Sequence, residues 1–136
     1  MSTVTRPTDP ESEPRVKAVF DDIRATRGSD FINNLWHYLA FDPDLLETIW
    51  RDVKTVMATP SSLDPMTKEL IYAAVSIANN CPYCVHSHTA AARAQGMTDK
   101  QHAEFLSIVS LAGRTNHLLN GMQIPTDPEF NHESQT

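Results

Sequence analysis

Proline removes more backbone freedom than any other residue, and four of the nine prolines in this 136-residue chain stand at the head of an apolar run with helical spacing: Pro14, Pro43, Pro65 and Pro82. Its fixed φ and missing N–H are harmless in the first turn of a helix, where the amide has no partner anyway, and disruptive further in. Each of the four therefore marks a helix start. Asp42 before Pro43 and Asp64 before Pro65 strengthen two of the starts, because an aspartate at the N-cap accepts a hydrogen bond from a first-turn amide.

From these starts the chain divides into six helical segments. Val16, Val19, Phe20 and Ile23 predict a first helix over about residues 13–26, closed by Gly28. Asp30 reads as the cap of a second, in which Phe31, Ile32, Leu35, Trp36 and Leu39 are apolar and which ends near Ala40 ahead of Pro43. The third carries Leu45, Leu46, Ile49, Trp50, Val53, Val56 and Met57 as one continuous stripe, and Trp36 and Trp50 are expected in the core or a subunit interface. The fourth, from Pro65 to about Ala78, is apolar almost all round and is expected to be central and buried. Asn79-Asn80 interrupts it; Cys81 precedes the fifth helix, whose alanine-rich body runs from Pro82 to Gln95 before Gly96. Thr98-Asp99-Lys100-Gln101 is a capping box that opens a sixth helix to Gly121.

With no confident strand and no internal repeat, the fold class is all-α, a single compact domain over residues 13–121, flanked by a flexible N-terminal segment over 1–12 and a polar tail over 122–136. A chain of this length suffices for one domain and is too short for two. Eleven Lys and Arg against seventeen Asp and Glu leave a net charge of −6, which speaks against nucleic acid or an anionic membrane as partner. No apolar run approaches the length of a membrane span, and the N-terminus lacks a secretory pattern, so a cytoplasmic location is expected.

In that reducing setting a C-x-x-C pair is catalytic or metal-binding more often than a permanent bridge. Both cysteines of the chain lie in Asn80-Cys81-Pro82-Tyr83-Cys84-Val85-His86-Ser87-His88. Residues on a helix advance by about 100°, so positions i, i+3 and i+7 share a face within about 60° of arc. Cys81, Cys84 and His88 have that spacing, and His86 does not. His88, one turn beyond Cys84, is placed to take its proton, while Cys81 at the helix start gains from unpaired amides and the dipole. These two effects favour different sulfurs as the better thiolate. A zinc site from Cys81, Cys84 and His86 or His88 competes, but lacks an evident fourth ligand. Haem attachment fails because Val85 follows the second cysteine, and a glutaredoxin-type site needs a βαβ setting that the flanking helices do not provide. Glu69 is the one acidic group on the apolar helix that runs into the pair. His37, His102 and His117 are expected to be ordinary polar-face or hydrogen-bonded residues.

Glu69, eleven residues, then Cys81-x-x-Cys84-x-x-x-His88 on an alanine-rich helical pair resembles the core motif of the alkylhydroperoxidase D family, grouped with the carboxymuconolactone decarboxylases. The run from Phe31 to Leu46 is also similar, so the resemblance covers about residues 30–112. It implies an all-helical domain forming homo-oligomers, trimers or hexamers, with Cys84 as the peroxidatic cysteine, Cys81 as the resolving one, and His88 and Glu69 in a proton relay. The expected activity is a thiol peroxidase acting on hydrogen or alkyl peroxides and recharged by an external dithiol or reductase, with no cofactor and no metal. Its competitors are disulfide exchange with a protein or lipoyl partner, and a zinc-stabilised helical interaction module. The pattern departs at Tyr83, where well-known members carry a histidine; the Tyr83 phenol or a water would take its place in the relay or pocket.

Overall fold

Proline opens four of the six helices in the structure, a computed structural model that describes residues 1–130. The elements are α1 (Pro14–Arg27), α2 (Asn34–Leu39), α3 (Pro43–Val53), α4 (Pro65–Ala78), α5 (Pro82–Ala94) and α6 (Asp99–Met122), with 3-10 turns at Pro10–Ser12 and Pro128–Phe130. No strand occurs among the described residues, and the fold is all-α. Asp42 and Asp64 cap as expected, their carboxylates accepting from the amides of Leu45 and Thr67. At the head of α6 the capping box is complete, with Thr98 and Gln101 each accepting from the other's backbone N–H.

The chain forms two compact units, residues 1–68 and a second beginning at Glu69, and α4 runs across the boundary. In the first unit, Val16, Val19, Phe20 and Ile23 of α1 pack with Ile32, Trp36 and Ala40 and with Leu46 and Trp50 of α3. The two indoles meet edge to face at 5.5 Å, and the Arg27 guanidinium lies 5.7 and 5.6 Å from their centroids. Trp50 Nε1 donates to Asp22 at 2.7 Å, so the largest core side chain of α3 has its one polar atom satisfied.

Three expectations need correction here. Asp30 does not cap α2, which starts only at Asn34 after extended backbone at Asn33. The Asn33 side-chain oxygen is taken by Arg27 Nη1 at 2.6 Å, and Phe31 is 70% exposed while Ile32 reaches the core from outside the helix. A short apolar pair fits an extended segment as well as a helix, and here the extended segment wins. Secondly, the stripe on α3 is not continuous: a π turn over Lys54–Ala58 inserts an extra residue, closed by Thr59 N–H to the Lys54 carbonyl, and turns Val56 outward to 63% exposure. Lys68 Nζ caps the carbonyls this leaves, those of Val56 and Thr59. Thirdly, α4 is not buried all round. Ala73 and Ser76 are, but Ile71 and Val75 are half exposed. An all-apolar helix says that its surface needs cover, not that its own chain supplies it.

At the ends, Glu11 is held by Arg24 at 2.7 and 3.1 Å, so the segment expected to be loose over 1–12 is tied down where it meets α1. α6 passes through Gly121 and ends on Gln123 in the left-handed conformation. Of the tail expected over 122–136, the described part includes the turn at Pro128–Phe130, and residues 131–136 lie outside the described residues.

Candidate redox site

The site belongs to the second unit and is built around the turn between α4 and α5. Asn80 has φ +54°, and the turn closes with two hydrogen bonds: Asn80 N–H to the Ile77 carbonyl at 3.1 Å and Cys81 N–H to the Ser76 carbonyl at 2.9 Å. That is a Schellman ending, with asparagine in the left-handed position that a short polar side chain tolerates. Cys81 thereby finishes one helix and starts the next, and Pro82 as the first residue of α5 turns the chain back.

Two stripes then face each other across this helical hairpin. On α4 they are Glu69, Tyr72 and Ser76; on α5, Cys81, Cys84 and His88; both have the spacing i, i+3, i+7. Glu69 Oε2 lies 2.6 Å from His88 Nδ1, with the carboxylate 18% and the imidazole 20% exposed. The Tyr72 ring stacks on His88 at 3.7 Å and 23°, which fixes the imidazole plane. The Tyr72 phenol is pushed above its ordinary pKa, first by burial and then by the nearby cysteines and Glu69.

Cys81 and Cys84 are both free thiols and are unequal. No oxygen side chain caps α5. Instead the Cys84 thiol and then its backbone N–H hydrogen-bond to the Cys81 sulfur and lower the Cys81 pKa. Cys84 moves the other way: burial raises its pKa, the hydrogen bond and charge of Cys81 raise it further, and a hydrogen bond with Ser76 pulls it back. Of the two sulfurs, Cys81 is therefore the one that gives up its proton more readily. The helix-start expectation for Cys81 has the right direction, though the thiol of Cys84 is the largest cause.

Of the residues singled out from sequence, Glu69 and His88 are joined, as are Cys81 and Cys84. Cys81 and Ser76 are the side chains that shift the Cys84 pKa, while His88 is engaged by Glu69 and Tyr72. Tyr83 is 44% exposed on the first turn of α5, and His86 is exposed. His102 meets Arg93 Nη2 at 3.3 Å and stacks on Phe105. Sequence reasoning missed Tyr72 and Ser76. Their signal was present: two residues with polar atoms on an apolar helix, at the same spacing from Glu69 as Cys84 and His88 have from Cys81. Among the described residues no group of three or more His, Cys, Asp or Glu is placed to hold a metal ion. No helix of the described residues is long and apolar enough to cross a membrane.

The model of the carboxymuconolactone decarboxylase family matches residues 43–127. The chain is similar to the crystal structure of an alkylhydroperoxidase AhpD core from Rhodospirillum rubrum, at 61% identity and a TM-score of 0.92, covering 96% of this chain and 97% of that one. It also matches uncharacterized protein 4 in the cox locus of Paracoccus denitrificans, 34% identical over 55 residues, which is 40% of this chain and only 50% of that protein.

Proposed function

The chain belongs to the carboxymuconolactone decarboxylase family, and from that footing we propose that it is a thiol-dependent peroxidase that reduces hydrogen or alkyl hydroperoxides through Cys84 and Cys81. The observation that carries this is the pairing of two unequal free thiols with a Glu69–His88 couple that joins the two facing stripes. Passing the Cys84 proton to Cys81, or to His88, arms Cys84 as a thiolate. Its sulfur attacks the peroxide O–O bond, giving a sulfenic acid on Cys84 and an alkoxide that takes a proton and leaves as the alcohol. Cys81 as a thiolate displaces hydroxide from that sulfenic acid, which leaves as water once protonated, and the Cys81–Cys84 disulfide forms. An external dithiol or reductase, in a reducing cytoplasm, returns both thiols. Glu69 on Nδ1 orients the ring so that its other nitrogen does the proton transfer.

The test is cumene hydroperoxide consumption in excess dithiol, with dimedone trapping after one equivalent of peroxide. Cys84→Ser abolishes turnover, and in Cys81→Ser the label maps to Cys84. Full consumption by Cys84→Ser would overturn the proposal. A second activity, disulfide exchange with a protein or lipoyl partner, is favoured by the lowered pKa of Cys81 at the helix start; faster turnover on lipoamide than on peroxide would put it first. The half-exposed Ile71 and Val75 of α4 and Ile108 and Leu111 of α6 support assembly into a homo-oligomer, trimer or hexamer, which light scattering of the purified chain checks.

A further inference from the structure

A single hydrogen bond fixes an atom, not a plane. Glu69 Oε2 meets His88 only at Nδ1, at 2.6 Å, and the last torsion of a histidine side chain turns on a broad, two-fold profile. With that contact alone the ring could pivot about Nδ1 and sweep its second nitrogen through an arc. The second constraint is Tyr72. Its ring lies on the imidazole with centroids 3.7 Å apart and planes 23° from parallel, whereas the other ring pairs among the described residues are 5.3 to 6.2 Å apart. Tyr72 and Glu69 are three residues apart on α4 and share one face of it, so one helix supplies both the edge contact and the face contact. Tyr72 is itself 40% exposed while the imidazole beneath it is 20% exposed. An aromatic ring left that open to solvent is not held in place by core packing; its close partner is His88.

We propose that Tyr72 is the positioning residue for His88: its aromatic face, stacked on the imidazole, locks the ring that Glu69 anchors at one nitrogen, so that the other nitrogen keeps a fixed aim. This deepens the proposed peroxidase chemistry and rests on it for the kinetic consequence alone. A positioned acid or base works only within hydrogen-bond reach of the proton it moves, and a small misplacement of such a group is costly in rate. The face of the ring does this and the hydroxyl does not. An aromatic face carries the negative end of the ring quadrupole and also accepts a cation. The stack is therefore compatible with His88 before and after it takes a proton, as a proton carrier in a cycle requires. Burial first, and then the charges of Cys84, Cys81 and Glu69, hold the Tyr72 phenol above its ordinary pKa, so the ring that meets His88 stays neutral.

The proton spectrum of the His88 ring tests the stack with no peroxide present. In protein carrying isotope-labelled histidine, the His88 signals are those lost in His88→Gln. The π electrons of a stacked ring shield the protons beneath them, so these signals lie upfield of those of the exposed His86. Tyr72→Phe keeps them there, and Tyr72→Leu moves them downfield. In cumene hydroperoxide consumption at saturating dithiol, Tyr72→Leu lowers kcat/KM about tenfold. Tyr72→Phe, which keeps the ring, rescues the rate. In a His88→Gln background Tyr72→Leu costs nothing further, because Tyr72 acts through the imidazole. A folded Tyr72→Leu with unmoved His88 signals, a Tyr72→Phe as slow as Tyr72→Leu, or a loss that persists without His88 overturns the proposal. Should Tyr72→Leu not fold, Tyr72→Met removes the ring while filling the space with a flexible apolar side chain, and the same outcomes decide. A chain that shows the upfield signals without consuming peroxide loses only its proposed function, and one that consumes peroxide at an unchanged rate in Tyr72→Leu loses only the role of Tyr72.

Discussion

Replacing Glu69 by Gln removes one charge from the hairpin and changes little else, which makes it the sharpest perturbation of the site. The 2.6 Å contact to His88 Nδ1 involves a carboxylate 18% and an imidazole 20% exposed, so solvent screens it far less than a surface ion pair. A hydrogen bond to an ionised group at such a position contributes about 2 kcal/mol, and if His88 moves a proton in the slow step the same energy appears as about a thirtyfold fall in kcat/KM. The assay is initial-rate peroxide consumption at saturating dithiol, with the melting temperature recorded in parallel. His88→Gln lowers the rate further, as loss of a positioned acid–base group typically does. The double variant should be no slower than His88→Gln alone, because Glu69 acts through the ring. A folded Glu69→Gln within twofold of the starting rate, or losses that multiply in the double variant, would refute the coupling of the two side chains to the chemistry.

Three other outcomes are expected. Leu46→Ala, at a fully buried position of the first unit, destabilises by about 3 kcal/mol, seen as a lower urea midpoint. His37 has a buried Nδ1 without a hydrogen-bond partner among the described residues, and burial first, then Arg6 and Arg24 against Glu11, lower its pKa. The folded chain therefore binds this proton less readily than the unfolded one; the stability is whole above the ordinary histidine pKa and is lost as pH falls from there through the lowered folded value, so His37→Gln flattens the fall of the urea midpoint on acidification. Asn80→Gly keeps the left-handed turn and the inequality of the two thiols, whereas Asn80→Val strains it by about 1–2 kcal/mol and brings the alkylation rates of Cys81 and Cys84 closer together.

Helix starts were the most legible feature of the fold, because proline and a capping carboxylate act within a single turn and no tertiary contact can reverse them. Pro43, Pro65 and Pro82 open their helices in the structure as the local chemistry demands. What failed was any inference from apolarity alone. Phe31 and Ile32 are both strongly apolar, yet one is exposed and the other buried, since neighbours in an extended segment face opposite sides. Val56 lies in a π turn that breaks the helical register of its stripe, and Lys68, twelve residues away, caps the carbonyls of Val56 and Thr59 there. Neither the extended segment nor the π turn is visible to a count of helical periodicity.

The cysteine face shows the same division at the level of chemistry. Helical spacing puts Cys81, Cys84 and His88 on one side of α5, and it is a matter of geometry alone. Which sulfur carries the charge is not, because it depends on how far Cys84 is buried and on what the facing helix offers it. The facing residues follow from the turn: a left-handed Asn80 followed by a helix-starting proline reverses the chain within a few residues, so the last three turns of α4 lie opposite the first turns of α5. Ser76 then falls beside the cysteines and Tyr72 and Glu69 beside His88, which is the order of the observed contacts. The hairpin thus converts two identical spacings into a gradient of environment along one cleft. At the turn is a pair of unequal sulfurs, and one to two turns away is a carboxylate–imidazole couple. The couple and the sulfurs are separated in space by the same helical repeat that aligns them, and a substitution at Asn80 is accordingly expected to move the thiols more than the Glu69–His88 couple.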